Sequence, residues 1–337
     1  MKTTLLCAGT ACALTLASPA LRAEGNVGFS HEIELEIGVT TVFDSDVPAD
    51  EVTDVYGAAS LGLEFALSDR VTAFAGLTFE SVLDPAGDRV FKDMGLYVAE
   101  LGLAFDLGVA QVAAGKISPA FGIAWDQTPG FFGTSYAEDY ELAEMIGARA
   151  DIALGQGTLS AAVFFADTTP LSESLGTNRG RTSTSDGGAG NTGTLNNFAL
   201  HYDVAFGETT LSAGARFLSA GTGDVSDEKG LSLGVAHAVN DAVSVLAEVA
   251  AFDGYGGSSD TATYATIGAS YARGPITYNA AYTRRDITSS GVDHLVSVGI
   301  DYELTNGITL TGGYGFANEG GTKSHMFGLA FVIPISG

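Results

Sequence analysis

The sequence predicts an all-β protein, a transmembrane antiparallel β-barrel of about 16 strands with a long third loop. Segments of roughly ten residues alternate in polarity with a period of two, and short turns alternate with long polar connections. Charged residues are only 16% of the chain, whereas a soluble domain has about 25%. No run of about 18 apolar residues follows the N-terminal segment, which excludes a bundle of membrane-spanning helices.

The chain begins with the pattern of a secretory signal peptide. Lys2 supplies a positive charge, residues 3–17 are apolar, and small residues precede the expected cut after Ala23, with Ala20 as the alternative. We therefore expect residues 1–23 to be removed as a signal peptide. Residues 24–337 would then form a single outer-membrane β-barrel domain.

Cysteine and charge content exclude several functions. Cys7 and Cys12 both lie in the leader, so the mature chain cannot be a disulfide scaffold or a thiolate metal protein. The chain has 15 basic and 40 acidic residues, a net charge of −25, and such a surface repels nucleic acid. The excess acid has two interpretations: solubility or salt tolerance, and a surface or pore that attracts cations.

Each predicted strand has one apolar and one polar face. In the first strand, Ile33, Leu35 and Ile37 alternate with acidic residues. An even strand count suits a single-chain bacterial barrel, and about 16 strands leave an aqueous channel. The predicted strands cover residues 31–43, 55–67, 71–83, 94–106, 109–116, 145–154, 158–167, 195–206, 209–219, 229–239, 242–252, 261–272, 275–285, 292–304, 308–318 and 323–335.

Polarity alternation alone does not distinguish a membrane barrel from a soluble sandwich. The leader, the mature chain without Cys, the strand number and the alternating loop lengths favour a barrel in the outer membrane of a Gram-negative bacterium. Aromatic residues on the outward parity would form girdles, although general β propensity also explains them. They are Tyr97, Phe105, Tyr202, Phe206, Tyr271, Tyr278, Tyr282, Tyr302, Tyr314 and Phe316.

The third long connection, residues 117–144, is rich in aromatic residues and holds the only Trp, Trp125, but no Lys or Arg. Folded into the lumen, it would narrow the pore and place carboxylates where they favour cations. The alternative is an external loop packed on the rim with solvated acids. Its acidic residues are Asp126, Glu138, Asp139, Glu141 and Glu144.

One segment resembles a known family. Residues 115–152, GKISPAFGIAWDQTPGFFGTSYAEDYELAEMIGARADI, are similar to a segment of the LbtU-type siderophore porins, and the architecture resembles the trimeric porins of Gram-negative bacteria. The resemblance implies passive or ligand-preferring passage of small solutes, with ferric siderophores as one ligand class, a homotrimer and no catalytic residues. The matching positions are Gly115, Lys116, Phe121, Gly122, Trp125, Asp126, Glu138, Asp139, Tyr140, Glu141 and Glu144.

Strand parity assigns further charges to the lumen. Arg149, Arg216 and Arg285 have inward parity. In general porins basic wall residues face the acidic loop across the constriction, and the resemblance implies the same layout here. The alternative is that a neighbouring wall acid, such as Asp151, satisfies each Arg, or that the Arg is exposed at the rim. The wall acids assigned inward are Glu32, Glu34, Glu36, Glu64, Glu80, Glu100, Asp203 and Glu248.

Other patterns add little to the functional prediction. Asp44, Asp46 and Asp50 in the first loop could ligate Ca²⁺, but no EF-hand spacing follows and a solvated loop is preferred. The His residues form no catalytic pair on one strand face, so neither an enzyme nor any other cofactor is predicted. The fourth loop, residues 168–194, is rich in Ser, Thr and Gly and is expected to be mobile. Pro334 interrupts the last strand and puts the closure of the barrel in question.

The predicted function is an outer-membrane porin through which small hydrophilic solutes and ions, preferentially cations, diffuse. Two alternatives stay open: a specific uptake channel for a siderophore or small ligand, and a non-conducting structural or adhesive barrel with a plugged lumen. The predicted partners are outer-membrane lipid, the solutes, and further copies of the chain in a homotrimer. Outward small residues such as Gly57, Ala59, Ala73 and Ala75 could pack between subunits or face lipid.

Overall fold

Sixteen long antiparallel strands form a closed barrel in the computed structural model, which describes residues 28–336. The leader predicted at residues 1–23 lies outside the described residues. All sixteen predicted strands are confirmed, and each strand end lies within two residues of its predicted position. The strands are Phe29–Ser45 (β1), Thr53–Ser68 (β2), Val71–Ser81 (β3), Met94–Asp106 (β4), Ala110–Ile117 (β5), Met145–Leu154 (β6), Gly157–Ala166 (β7), Asn197–Phe206 (β8), Thr209–Leu218 (β9), Glu228–Asn240 (β10), Val243–Asp253 (β11), Thr261–Arg273 (β12), Ile276–Ile287 (β13), Gly291–Glu303 (β14), Thr309–Glu319 (β15) and Thr322–Ser336 (β16).

The loops contain only short elements. Within residues 28–336 no helix is long and apolar enough to cross a membrane. The short elements are the two-residue strands Arg89–Val90 and Leu175–Gly176, the α-helix Ala124–Gln127, and the 3-10 helices Pro48–Asp50, Ala137–Tyr140, Pro170–Ser172, Thr184–Asp186, Tyr255–Gly257 and Thr305–Gly307.

The barrel closes through β1, which pairs antiparallel with both β2 and β16. Pro334 of β16 lies opposite Glu34 of β1, beyond Val332, the last residue of β16 that pairs with β15. The Pro therefore occupies a position with a strand neighbour on one side only, where a missing backbone N–H is tolerated. The doubt about closure that Pro334 raised is resolved by this position.

The apolar faces of the strands point outward, as predicted. On β12, Ile267 is 57% exposed whereas its neighbour Thr266 is 1% exposed. On β14, Val298 is 44% exposed and Ser297 is 1% exposed. The outside of the barrel is thus a band of exposed apolar side chains, and the polar faces line the interior, as in a membrane barrel.

A bulge in β4 reverses one predicted orientation. The pairing of β3 with β4 skips Ala99, which is therefore an extra residue in β4. Because strand faces alternate with a period of two, the extra residue reverses the orientation of residues 94–98 relative to the alternation that holds from Glu100 onward. Tyr97, predicted to face outward, is only 9% exposed and donates a hydrogen bond to Glu80 of the inner wall at 2.6 Å. The outward prediction for Tyr97 is wrong.

The fourth loop, residues 167–196, forms hydrogen bonds with two parts of the barrel that are distant from each other in the chain. Its two-residue strand Leu175–Gly176 pairs antiparallel with Gly95 and Leu96 of β4. Further along, the backbone N–H of Gly188 donates at 3.1 Å to the carboxylate of Asp224, in the connection between β9 and β10. The composition of this loop predicted mobility, and it gave no indication that the loop pairs with a strand distant in the chain.

The main buried cluster lies inside the barrel, between the third loop (residues 118–144) and the inner wall. Aromatic side chains from both sources build it, so the third loop supplies much of the core of the protein. Its aromatic members are Phe121, Phe132, Tyr136 and Tyr140 of the loop and Phe164, Phe252 and Tyr264 of the wall.

Candidate functional site: a loop-lined constriction inside the barrel

The third loop leaves β5, follows the inner wall and returns to β6. The first half of the loop meets wall strands in chain order, and the second half runs back along the same wall. In the first half, Phe121 lies beside Gly214 of β9, Ile123 beside Gly234 of β10, Pro129 beside Gly268 of β12, and Phe131 beside Gly313 of β15 and Gly328 of β16. The loop therefore lies against the inner faces of β9–β16.

Glycines in the wall allow this close approach. A Cβ atom added at Gly234 would lie 2.7 Å from Cδ1 of Ile123, and one added at Gly313 would lie 2.7 Å from Cβ of Phe131. Non-bonded carbon atoms prefer a separation of about 3.5–4.0 Å. A larger residue at Gly234 would require the Ile123 side chain to shift, and one at Gly313 would require Phe131 itself to move.

The carboxylate of Glu248, a predicted wall acid on β11, holds both halves of the loop. It accepts hydrogen bonds from the backbone N–H groups of Ile123 at 2.5 Å and Ala124 at 3.2 Å. It also accepts one from the Tyr140 hydroxyl at 2.5 Å. Glu248 is 3% exposed, so it acts as an anchor for the loop rather than as a charge that faces the channel.

Arg216 of β9 is a second anchor. Its guanidinium donates to Glu228 at 2.6 Å and to the backbone carbonyl of Tyr140 at 2.6 Å. It also lies 4.8 Å from the ring centroid of Phe121 and 4.5 Å from that of Phe252. The side chains of Arg216 and Glu228 are both almost fully buried, so the carboxylate of Glu228 compensates the buried positive charge of Arg216.

Arg285 of β13 is a third anchor and joins three carboxylates. Its guanidinium nitrogens lie 2.7 Å from Asp139 of the loop, 2.9 Å from Asp293 and 2.7 Å from Glu319. The ring of Tyr136 stacks beneath it at 4.3 Å. Of the five predicted loop acids, Asp139 is the one that meets one of the three predicted arginines.

The three arginines thus do not form a basic row across an opening. Arg149 of β6 pairs with Asp151 at 3.2 Å and donates to the backbone carbonyl of Ser118 at 3.1 Å. Arg149 thus follows the alternative in which a neighbouring wall acid, Asp151, satisfies its charge. Arg216 and Arg285 instead hold the third loop against the wall. All three side chains contact the third loop, and their charges are used within the loop and the wall.

Carboxylates of β1–β4 line the wall that faces the loop. The Tyr56 hydroxyl donates to Glu36, and the Tyr97 hydroxyl donates to Glu80 at 2.6 Å. Glu100 accepts a hydrogen bond from the backbone N–H of Ser118 at 3.1 Å. Residues 121–140 of the loop form hydrogen bonds with the opposite wall, on β9, β11, β12, β13 and β14.

Glu138 and Glu141 belong to the returning half of the third loop, and the charge of the wall residue Glu80 acts on Glu138. Burial, the largest cause, raises the pKa of Glu138 to about 7 together with the charges of Glu141, Asp139 and Glu80, while a hydrogen bond from Thr134 opposes the shift. Burial together with the charges of Asp126 and Glu144 raises the pKa of Glu141 to about 7. The influence of Glu80 on Glu138 links a wall carboxylate with a loop carboxylate electrostatically.

Two other loop acids differ from each other. Asp126 is exposed, and partial burial raises its pKa above the ordinary value. Glu144, with a left-handed backbone (φ 55°), is paired with Lys116 at 2.7 Å and with Arg179 of the fourth loop. The predicted acids therefore divide into two sets. Asp139 and Glu144 form ion pairs, whereas Asp126, Glu138 and Glu141 have a raised pKa.

The remaining predicted residues lie away from this constriction. Asp203 of β8 pairs with His201 at 3.0 Å. Glu64 accepts a long hydrogen bond from Ser30, and Glu32 and Glu34 share the inward parity of Glu36 near the start of β1. Within the described residues, no group of three or more His, Asp or Glu side chains is arranged to hold a metal ion. Of the first-loop acids Asp44, Asp46 and Asp50, Asp46 accepts a hydrogen bond from the backbone N–H of Lys323 at 2.9 Å. The Ca²⁺ role considered for these three residues stays a prediction.

Sequence reasoning missed three residues of the constriction. Tyr56 and Tyr97 bind wall carboxylates, and Arg179 binds Glu144. Tyr56 has the inward parity of β2, a signal that was present in the sequence. Tyr97 was hidden by the bulge at Ala99, and Arg179 reaches the site from a loop whose path no periodic pattern predicts.

Three solved structures with a similar fold are outer-membrane proteins. A substituted variant of the Rhodobacter blastica porin is 15% identical, covers 91% of this chain and 100% of its own, and superposes with a TM-score of 0.62. The outer-membrane channel DcaP of Acinetobacter baumannii is 11% identical, with coverage of 93% and 99% and a TM-score of 0.65. A loop-deleted OmpT, an outer-membrane protein of Vibrio cholerae, is 12% identical, with coverage of 92% and 99% and a TM-score of 0.59.

The likeness to these proteins extends over the whole barrel. No protein-family model matches the chain, and no curated protein matches it. At 11–16% identity the comparison concerns the course of the backbone and not the side chains of the constriction. The chain has the closed 16-strand fold of Gram-negative outer-membrane porins and channels.

Proposed function

We propose that this protein is an outer-membrane porin that lets small hydrophilic solutes diffuse through a constriction between the third loop and β1–β4. The observation that carries the proposal is the one-sided fastening of the loop. Glu248, Arg216 and Arg285 hold it against β9–β16, and a loop held to one side narrows a lumen without filling it. The apolar outer band suits outer-membrane lipid.

We further propose that the channel prefers cations. Glu138, Glu141 and Asp126 of the loop face a wall that carries Glu36 and Glu80, and the basic residues of the wall are used as anchors. Carboxylates around a narrow opening lower the energy of a passing cation and raise that of an anion. The net charge of −25 for the whole chain acts in the same direction at longer range.

Single-channel recording tests both statements. Residues 24–337 would be refolded into planar bilayers, and the reversal potential measured across a salt gradient. We expect stable open steps and a cation-selective potential. Replacing Asp126, Glu138 and Glu141 by Asn or Gln should move the potential toward neutrality, whereas the same number of neutralisations at the rim, in Asp46→Asn, Asp50→Asn and Glu51→Gln, should change it less.

Asp139 and Glu144 are left unchanged in this experiment, because their replacement would remove one ion-pair partner from each of Arg285, Lys116 and Arg179. A folded barrel without conductance would contradict the porin and favour the structural or adhesive alternative. Passage of a ferric siderophore that saturates with concentration would favour the ligand-specific alternative. Both outcomes are distinguishable from simple diffusion, which rises linearly with the gradient.

We also propose a homotrimer, as the resemblance of the architecture to the trimeric porins implies. Of the small outward residues considered for subunit packing, Gly57 lies close to Phe91 of the second loop, which would meet an added Cβ at 3.4 Å. Ala59, Ala73 and Ala75 follow on the same outer face. The mass of the protein in detergent, measured by light scattering with the detergent contribution subtracted, tests the trimer.

A further inference from the structure

Arg179 belongs to the fourth loop, yet its guanidinium lies at the end of the third loop. Nη1 and Nη2 donate to the two carboxylate oxygens of Glu144 at 2.8 and 2.5 Å. The guanidinium carbon lies 3.8 Å from the ring centroid of Tyr97. Tyr97 in turn donates to Glu80, so Arg179 stands on the carboxylate-bearing wall that faces the third loop.

The fold restrains Arg179 at this place through several contacts. Its Nε donates to the backbone carbonyl of Ser172 at 2.8 Å, and its backbone N–H donates to Oγ of Ser174 at 2.9 Å. The pairing of Leu175–Gly176 with β4 fixes the residues just before it. Strand β5 ends at Ile117, so the fourth loop can pass over the end of β5 to reach β4.

The charges around Arg179 explain why it matters. Lys116, 1% exposed, lies 2.7 Å from Glu144 and 2.9 Å from Asp167. With Arg179, these groups form a set of two positive and two negative charges. The side chain of Lys116 is fully buried, whereas that of Arg179 is 20% exposed. Of the two cations, Arg179 is the one that a passing ion can meet.

We propose that Arg179 is a specificity-determining residue, a positive charge carried by the fourth loop that limits the cation preference of the acidic constriction. This inference rests on the proposed function. It assigns to Arg179 the balancing role that the resemblance to porins implied for Arg149, Arg216 and Arg285. The guanidinium offsets Glu144 and weakens the attraction that Glu80 exerts on a cation.

Charge replacement tests the inference in the intact barrel. Arg179→Gln should raise the ratio of cation to anion permeability about two- to fivefold, because a unit charge beside a narrow pore is incompletely screened. Arg181→Gln is the matched control: Arg181 lies two residues on in the same loop, is exposed, and bonds to the backbone carbonyl of Thr168. It should leave the ratio unchanged.

Glu144→Gln should lower the permeability ratio, and the double variant Arg179→Gln with Glu144→Gln should return it close to the native value. A double variant that stays as selective as Arg179→Gln would mean that the loop has moved, and it would overturn the electrostatic role. Equal effects of Arg179→Gln and Arg181→Gln, or no effect of either, would overturn it as well.

A second readout does not require conduction. Residues 24–337 contain no Cys, so Ala143→Cys places a single thiol at an exposed position beside Glu144. The rates at which cationic and anionic methanethiosulfonates modify this thiol report the local potential. Arg179→Gln should raise the cation-to-anion rate ratio about two- to fivefold, and Arg181→Gln should not.

The thiol experiment separates the two proposals. If the barrel does not conduct but the rate ratio changes as expected, the porin proposal fails and the placement of the Arg179 charge stands. If the barrel conducts and Arg179→Gln changes neither the rate ratio nor the permeability ratio, the porin stands and the role of Arg179 is refuted.

Discussion

Glu248 accepts a hydrogen bond from the hydroxyl of Tyr140 at 2.5 Å, although the two residues lie 108 positions apart in the chain. The same carboxylate accepts the backbone N–H of Ile123. One wall side chain thereby joins the outgoing and returning halves of the third loop. Because a buried carboxylate that accepts several hydrogen bonds is strongly held, we regard Glu248 as the main fixed point of the constriction.

Glu248→Ala should loosen the third loop. The change leaves the two backbone N–H groups and the Tyr140 hydroxyl without their acceptor. Each buried donor without an acceptor costs about 1–3 kcal/mol of folding free energy. We expect larger and noisier single-channel conductance, and faster proteolysis within residues 118–144. Glu64→Ala is the control, because Glu64 contacts Ser30 rather than the loop. Equal conductance in the two variants would show that Glu248 does not hold the loop.

Arg285→Met should destabilise the folded barrel more than its neighbour Arg284→Met. Arg285 is almost fully buried among Asp139, Asp293 and Glu319, and removal of one partner from a buried ion pair costs about 3–5 kcal/mol. Arg284 is 39% exposed on the outer face and pairs with Asp286, which is worth at most about 1 kcal/mol. Urea-induced unfolding in lipid vesicles measures the difference in the free energy of unfolding. Similar losses for both variants would contradict the anchoring role of Arg285.

Cation selectivity should rise with pH. Burial and neighbouring acids raise the pKa of Glu138 and Glu141 to about 7, so both are largely neutral at low pH and charged at high pH. Their raised pKa also means that the stability contributed by the neutral forms is present at acid pH and is lost as pH rises through about 7. Reversal potentials between about pH 5.5 and pH 8.5 should therefore show a transition near pH 7.

The double variant Glu138→Gln with Glu141→Gln is the direct check of this titration. It should remove the transition near pH 7 and leave a weakly selective channel across the range. The rim variant Asp46→Asn with Asp50→Asn should keep the transition, because it changes the same number of carboxylates outside the constriction. A transition that survives in the double variant would assign the titration to other groups.

The strands could be predicted from the sequence because their signal is local. Ile33, Leu35 and Ile37 alternate with Glu32, Glu34 and Glu36, and this alternation predicts which residues share each face of the strand. The inward assignments of Glu36, Glu80 and Glu248 followed from the same rule. Each of these acids lies on the inner wall in the structure, hydrogen-bonded to a tyrosine.

The partners of these residues could not be predicted in the same way. Strand parity assigns Arg216 to the inner face, but its contacts with Glu228 and with the carbonyl of Tyr140 depend on how the third loop folds across the barrel. Arg179 reaches Glu144 because the fourth loop pairs with β4, a contact between segments far apart in the chain. No local periodicity encodes either path.

Tyr97 shows how a single residue can reverse a correct rule, and its orientation is testable by fluorescence. Because Ala99 is an extra residue in β4, Tyr97 faces the lumen, whereas Tyr271 of β12 faces outward and is 46% exposed. Trp125 is the only Trp, so Trp125→Phe gives a background in which Tyr97→Trp or Tyr271→Trp is the sole emitter. In vesicles of brominated lipid, which quench Trp on contact, the emission at position 271 should fall strongly and that at position 97 should stay close to its value in ordinary lipid. Equal quenching at both positions would place residue 97 on the outer face, and would remove the surface on which Arg179 stacks.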